Sequence, residues 1–449
     1  MPKKDVIKLP ETPPVWDPDL MATIDKIVGP DFTDDPLVRR YNLCCEDKLQ
    51  GKLYKLTMSS QDSTIYPGVA TVKGALQKLD GAGQLLVEHE HYGPFGGVQP
   101  FKGFACNAST PEISEPQAYK RQLEVFVPEG VDTSKASPFM LFLDGLNVME
   151  ALGHVAPFLR LLQKSCGCCC SGAGGTAAAS ISFVKTMDNL FKTKHLEPMV
   201  CIFLNPGGTQ DENCIVGSQR NLEYDAVTTK FADFVEQEVL PFVSGKCDVK
   251  LTTNPDQRAV MGTSSSGNAA ITMGLTGRFN RILTSSPSCV NVGYPYNPQA
   301  PLQGWDYHSG KEFIKNQDKV EGLRVVVVTN EFDLWYHSDV NHHFNWVAAS
   351  LRTAKALKEK GYACLHVFAK QGIHVDPRAL AECFPDAVKW IWSDTQPRPP
   401  DDLRALPGEA PNDQAPAVAD QSAEVASSAE PVEPQLPGCP QPEEVHARA

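Results

Sequence analysis

Short apolar runs alternate with amphipathic segments between residues 121 and 395, and this pattern most constrains how the chain can fold. The runs are nearly continuous in Val, Ile, Leu and Phe, which is typical of strands buried on both faces. They are Leu123–Pro128, Phe139–Asp144, Met199–Asn205, Arg258–Gly262, Arg281–Ser285, Leu323–Thr329 and Cys364–Ala369. Strands that alternate with helices predict an α/β fold, with a mostly parallel sheet and helices on both faces.

The segments between most of these runs have helical periodicity. Thr228–Val243 is the clearest case, because its apolar residues recur at the spacing of one helix face. Those residues are Phe231, Phe234, Val235, Val239, Leu240 and Val243. Phe344–Lys360 and Arg378–Trp392 follow the same pattern. We therefore predict one α/β domain over residues 121–395.

The flanking parts of the chain have other compositions. Residues 1–50 are rich in Pro and Asp and predict an irregular segment with one short helical candidate around Leu20–Val28. Residues 51–120 carry strand-like runs broken by turn signals, which predicts a β-rich extension packed on or near the main domain. The Cys/Gly/Ala-rich stretch 165–180 is typical of a surface insertion. Residues 396–449 are Pro-rich and acidic with no aromatic residue, so we expect a disordered tail.

Charge and cysteine content narrow the class of function. The formal net charge is -13, which disfavours nucleic acid and anionic membranes as partners. No stretch reaches the roughly 20 apolar residues of a membrane helix, and the first twelve residues lack the apolar core of a secretory signal. Fourteen cysteines without an export signal favour reduced thiols and a cytoplasmic location. Four of them, at Cys166, Cys168, Cys169 and Cys170, lack a Cys/His partner pair at zinc spacing, so we expect no metal.

The segment Gly262-Thr-Ser-Ser-Ser-Gly267 is the informative motif. It follows an apolar strand and precedes an Ala-rich helix, which is the context of a nucleophile elbow. In such a turn a strained backbone exposes the serine hydroxyl above the sheet. We therefore predict that Ser264 is a nucleophile.

Two backbone N–H groups are candidates for an oxyanion hole. Ser265 starts the helix after the nucleophile, where N–H groups and the helix dipole favour negative charge. The second donor is expected in the loop after Phe139–Asp144, at Leu146. Gly145 would allow the backbone of this loop to approach a substrate closely.

A serine nucleophile needs a base and an acid, in the chain order Ser, Asp/Glu, His for this fold. Asp333 follows the apolar run Leu323–Thr329, and His374 follows Cys364–Ala369. Open parallel sheets place their sites at such strand ends, so we predict a triad of Ser264, Asp333 and His374. Other residues in the same region could replace two of its members. They are Glu331 and Asp339 as the acid and His337, His342 and His343 as the base.

At this point the sequence resembles a known family, the esterase D-type α/β hydrolases, and within it the enterochelin (Fes) esterase-like proteins. The similarity covers residues 120–393. Its matching stretches are Leu141–Gly145, Ile202–Gly207, Arg220–Asp225, Glu238–Pro241, Gly262–Gly267, Glu331–Leu334, Asn345–Trp346, Gly372–His374 and Ala387–Trp392. The resemblance implies an α/β-hydrolase fold and hydrolysis of a carboxylic ester. It also implies that Arg220, Glu223 and Tyr224 bind substrate, although Arg220 could instead pair with Glu223 or Asp225 to fold the loop.

The sequence departs from the family pattern in two places. Ser266 stands where glycine is usual, and residues 51–120 are short for the β-sandwich of enterochelin esterases. The leading hypothesis is a serine esterase that forms an acyl-enzyme, needs no cofactor and acts on a small-molecule ester. Siderophore lactones, acyl or feruloyl sugars and acyl thioesters are candidate substrates. An acyltransferase using the same acyl-enzyme, or a catalytically degenerate binding scaffold, is the alternative.

Overall fold

The computed structural model describes residues 16–29, 48–68, 71–79, 85–94, 104–106, 112–113, 118–145, 182–207, 220–291 and 302–394. The strands are β1 (Lys26–Val28), β2 (Gly51–Ser59), β3 (Thr71–Leu79), β4 (Leu85–Pro94), β5 (Phe104–Cys106), β6 (Glu112–Ile113), β7 (Lys120–Pro128), β8 (Ala136–Ser137), β9 (Phe139–Leu143), β10 (Val200–Leu204), β11 (Lys250–Leu251), β12 (Arg258–Thr263), β13 (Arg281–Ser285), β14 (Arg324–Phe332) and β15 (Ala363–Ile373). The helices are α1 (Pro18–Met21), α2 (Phe183–Lys192), α3 (Arg220–Tyr224), α4 (Lys230–Phe234), α5 (Leu240–Cys247), α6 (Ser265–Leu275), α7 (Phe313–Asn316), α8 (Trp346–Glu359) and α9 (Pro377–Trp392).

The main sheet has nine strands in the order β1-β15-β14-β13-β12-β9-β10-β7-β2. The first seven strands in this order, from β1 at one edge to β10, are parallel to one another. The last two, β7 and β2, are each antiparallel to the strand before them. All seven apolar runs of the sequence form strands of this sheet. The prediction of a mostly parallel α/β sheet is therefore confirmed, and the fold is that of an α/β hydrolase.

The central strands bury both faces, as their composition predicted. In β14, Val325 and Val327 join one hydrophobic cluster, while Val326 and Val328 join the cluster on the opposite face. Successive side chains of a strand point to opposite faces, so each face needs its own cover of helices. Helix α6 packs in the first cluster and α9 in the second.

The predicted helices form with one irregularity. Between α4 and α5, residues Val235–Val239 adopt a π-helical turn that continues the same rod. Pro241 stands just after this turn and has no N–H to bind a carbonyl one turn earlier. The ring of a proline within a helix also clashes with the carbonyl one turn earlier. A wider π-helical turn before Pro241 relieves this clash, which accounts for its position.

The N-terminal segment differs from its prediction. The helical candidate Leu20–Val28 is helical only to Met21, and β1 then pairs in parallel with β15. Pairing satisfies the backbone groups at the open edge of β15, which local propensity does not reveal. Thr23 and Asp25 fix the segment: the Asp25 amide donates to the carbonyl of His366, and Thr23 Oγ1 hydrogen-bonds His366 Nδ1 at 2.9 Å.

The segment 51–120 contributes to two sheets. Strand β2 lies at the far edge of the main sheet beside β7. Strands β3 to β6 form a separate antiparallel sheet of four strands. The predicted insertion 165–180, with its cysteine cluster, and the tail 396–449 lie outside the described residues. No helix in the described ranges is long and apolar enough to span a membrane.

Candidate active site

Ser264 occupies a strained turn between β12 and α6. Its backbone has φ 57° and ψ -127°, a conformation that costs a non-glycine residue about 1–3 kcal/mol. The turn leaves Ser264 half-buried while Thr263 and Ser265 on either side are buried. This is the geometry expected of a nucleophile elbow, in which only the serine hydroxyl reaches the cleft.

Two glycines make this turn sterically possible. A side chain at Gly262 would collide with the carbonyl of Ser266, and one at Gly267 would lie 3.0 Å from the Cα of Pro287. The close approach of β12 and α6 therefore depends on Gly262, and that of α6 and the segment after β13 depends on Gly267. The sequence located this turn correctly because its glycines flank the serine at short range.

The structure brings Ser264, His374 and Asp333 together at the carboxyl ends of three parallel strands. Ser264 Oγ lies 3.1 Å from His374 Nε2, and His374 Nδ1 lies 2.6 Å from Asp333 Oδ1. A carboxylate beside Nδ1 fixes the proton on that nitrogen, so Nε2 is left to accept the serine proton. Asp333 is 1% exposed, whereas Ser264 and His374 are partly accessible.

Two further residues support this arrangement: Ser286, which the sequence did not single out, and Trp346, which lies in a stretch that carries the family resemblance. Ser286 Oγ accepts hydrogen bonds from the Val375 amide at 2.9 Å and from Asn330 Nδ2 at 2.8 Å. It thereby ties the loop of His374 to the strand that carries Asp333. Trp346 packs edge-to-face against the imidazole of His374, with ring centroids 4.7 Å apart.

The rival acids and bases have other contacts. Glu331 accepts from the backbone amide of Gln371 at 2.8 Å, and Asp339 accepts from that of Asn341 at 2.7 Å. Three histidines contact tryptophan rings: His337 and His342 stack on Trp335, and His343 packs against Trp305. None of these contacts involves Ser264.

Of the two expected oxyanion donors, Ser265 lies within the described residues. Ser265 is the first residue of α6, where backbone N–H groups have no acceptor within the helix. Gly145 has φ 65°, and a side chain there would collide with Asn205, so only glycine fits. Leu146 lies outside the described residues.

Arg220 forms a buried ion pair, but with neither of the acids that the sequence suggested. Its Nε and Nη2 donate to the two carboxylate oxygens of Asp144 at 2.7 and 2.8 Å. Asp225 is buried nearby without this pairing. Burial raises the pKa of Asp225 to about 6, although the positive charge of Arg220 acts to lower it.

Glu223 and Tyr224 are both buried, at 2% and 0% exposure, and their role as substrate contacts stays a prediction. Glu223 accepts two hydrogen bonds from Arg121, at 2.8 and 2.5 Å, and also binds the amide of Gly207. Tyr224 packs edge-to-face on Phe231, and burial raises its pKa well above the usual range. The pairs Arg121–Glu223 and Arg220–Asp144 each join α3 to a residue of the main sheet or of its strand ends. Because a buried charge is costly without its partner, the two pairs hold α3 against the sheet.

We predict a large loss of stability from Glu223→Ala. The variant leaves the Arg121 charge buried without its partner, which costs about 3–5 kcal/mol. Urea denaturation of wild type and variant measures the difference in free energy of unfolding. Glu359→Ala, which removes an exposed pair with Lys355, is the matched control and should cost under about 1 kcal/mol. Equal stability of the two variants, with a raised KM for Glu223→Ala, would support substrate binding instead.

No group of three or more His, Cys, Asp or Glu side chains in the described part of the chain could hold a metal ion. The chemistry available at this site is that of a serine hydroxyl, an imidazole, a carboxylate and backbone N–H groups.

Comparison with known proteins identifies the family. The model of the family described as "Putative esterase" matches residues 114–375, more than half of the chain. The structure of a ferulic acid esterase is 14% identical to this chain. The matched region covers 77% of this chain and 98% of the ferulic acid esterase chain, with a TM-score of 0.43. Enterobactin esterase from Shigella flexneri is 15% identical over 72% of this chain and 59% of its own, with a TM-score of 0.37. No curated protein matches the sequence. With its family match over most of the main sheet, the chain belongs to this esterase family and is a carboxylic ester hydrolase.

Proposed function

We propose that the protein is a serine esterase that works through an acyl-enzyme on Ser264, with His374 as general base and Asp333 orienting the imidazole. One observation carries the proposal: an unbroken hydrogen-bond chain runs from Ser264 Oγ through His374 to Asp333, beginning on a strained strand-to-helix turn. The resemblance of the sequence to enterochelin esterase-like proteins and the family match support it.

The geometry supports a sequence of proton transfers. His374 Nε2 accepts the proton of Ser264 as Oγ attacks the ester carbonyl, and the carboxylate of Asp333 stabilises the imidazolium. The N–H of Ser265, with that of Leu146 as the second donor, would stabilise the oxyanion. His374 then returns the proton to the leaving alcohol. Water attacks the acyl-enzyme by the same route in reverse and regenerates Ser264.

A fluorophosphonate probe tests this assignment. We expect one adduct per chain, located on Ser264 by peptide mass spectrometry, because the base at 3.1 Å activates this hydroxyl. Ser350→Ala, which removes a buried hydroxyl from α8, is the control and should label like wild type. A label on another residue would disprove the nucleophile assignment, and no label on any residue would favour a degenerate scaffold.

Rates of hydrolysis of a panel of p-nitrophenyl esters, from acetate to octanoate, and of a feruloyl ester then give the preferred acyl group.

Product analysis in the presence of an added alcohol separates hydrolysis from acyl transfer. We expect free acid as the main product. Acylated alcohol at millimolar acceptor would identify an acyltransferase.

A cytoplasmic location remains part of the proposal. It is supported by five cysteines that are free thiols in the structure, Cys201, Cys247, Cys289, Cys364 and Cys383. Unpaired cysteines are typical of proteins kept in a reducing compartment.

A further inference from the structure

Asp144 connects three parts of the candidate site: the Gly145 loop that follows it, Arg220 of α3 and Ser266 of α6. It follows β9 in a left-handed conformation, with φ 68°, and immediately precedes the Gly145 loop. Its side chain is 1% exposed and pairs with Arg220 through both carboxylate oxygens. A buried carboxylate with these partners is a fixed element of the structure, because moving it would leave the charge of Arg220 uncompensated.

Ser266 links this carboxylate to the nucleophile turn. Its Oγ lies 2.7 Å from Asp144 Oδ2 and accepts a hydrogen bond from the amide of Thr263 at 2.7 Å. The hydroxyl has one proton to donate, and the Thr263 carbonyl also lies at 2.7 Å. The charged acceptor forms the stronger bond, so the proton is directed to Asp144. This contact gives a reason for serine at a position where the family pattern has glycine.

The backbone of Thr263 is thereby held on both sides. Its amide donates to Ser266 Oγ, and its carbonyl accepts from Arg220 Nη2 at 3.2 Å. Thr263 directly precedes the strained Ser264. A backbone in a sparsely populated conformation persists only where surrounding contacts over-determine it. The cluster of Asp144, Arg220 and Ser266 supplies such contacts.

The same cluster connects the end of β9 to the start of α6. Asp144 is two residues before Leu146, and Ser266 is one residue after Ser265. We propose that Asp144 and Ser266 are positioning residues that hold Ser264 in its reactive conformation and fix the start of α6 behind it. The proposal rests on the proposed function. Neither side chain touches substrate, because both are buried behind the turn.

Ser266→Ala is the decisive variant. It removes the hydroxyl but keeps the Asp144–Arg220 pair, so the fold should survive. We expect kcat per titrated site to fall about 10- to 100-fold with KM changed less than about threefold, because small misplacements of reacting groups act mainly on the transition state. Fluorophosphonate titration counts the folded, reactive sites, so a loss of folded protein does not register as a loss of kcat.

Asp144→Asn provides a second, independent test. The amide keeps the size of the side chain but removes its charge, and we expect a fall in kcat at least as large as for Ser266→Ala. The control is Ser350→Ala, which should keep the wild-type kcat per site and report the effect of deleting a buried hydroxyl elsewhere.

The outcomes separate this proposal from the proposed function. A reduced kcat per site at unchanged KM in Ser266→Ala supports positioning. An unchanged kcat per site with a lower melting temperature would overturn it, since the hydroxyl would then only stabilise the fold. If wild type hydrolyses esters and Ser264→Ala does not, the proposed function stands whichever result Ser266→Ala gives. If wild type neither labels nor turns over, both proposals fail.

Discussion

Replacing Ser264 with alanine will lower kcat for the best ester by about 10⁶-fold, the loss seen when the nucleophile of such a triad is removed. The physical reason is that the variant lacks the hydroxyl on which the proposed acyl-enzyme forms. Ser264 Oγ is the atom within hydrogen-bond distance of His374 Nε2. Steady-state hydrolysis by wild type and variant, normalised to folded protein by circular dichroism, measures the effect.

Non-additivity provides the control for this prediction. The groups of a triad act as a unit, so Ser264→Ala combined with His374→Ala should be no slower than Ser264→Ala alone within about tenfold. A double variant slower by the product of the two single effects would mean that Ser264 and His374 act in separate steps. Wild-type activity in Ser264→Ala would place the nucleophile elsewhere.

Asp333→Asn should lower kcat by about 10⁴-fold while leaving the fold intact. The carboxylate accepts the Nδ1 proton of His374 at 2.6 Å. An amide nitrogen in its place would donate to Nδ1 and force the imidazole proton onto Nε2. The base would then face Ser264 with a proton instead of a lone pair. Measurement of kcat and KM on the same ester separates this loss from any effect on binding.

The rival acids serve as matched controls for Asp333. Glu331→Gln, at the end of β14, and Asp339→Asn, after it, also replace a carboxylate by an amide. Both side chains bind backbone amides and not His374. Each should change kcat less than about tenfold. A loss in Glu331→Gln equal to that expected for Asp333→Asn would assign the acid role to Glu331.

Local pattern was sufficient for most of the fold. A strand such as Val325–Val328 must be buried on both faces because it has no polar side. The same reasoning could not find β1, because three residues carry no periodicity and their pairing depends on an edge supplied by β15, more than 300 residues away in sequence. Strand β2 likewise gains its place in the main sheet only by pairing with β7.

The partners of buried charges likewise depend on tertiary structure and not on the local sequence. Arg220 has Glu223 and Asp225 within five residues, yet its partner is Asp144. Glu223 in turn pairs with Arg121, which no motif had indicated. Many acids satisfy the electrostatic requirement of one arginine, and the choice among them depends on which carboxylate the packed sheet and α3 bring into bidentate geometry.

The sequence by itself determined the parallel sheet and the order of Ser264, Asp333 and His374 at strand ends, because burial pattern and elbow glycines are local properties. Only the tertiary structure decided that these three side chains meet within hydrogen-bond distance. It alone also decided that Arg220 and Glu223 are committed to buried ion pairs and that Ser266 contacts Asp144. Such contacts join residues distant in the chain, so their geometry exists only once the strands have paired and the helices have packed.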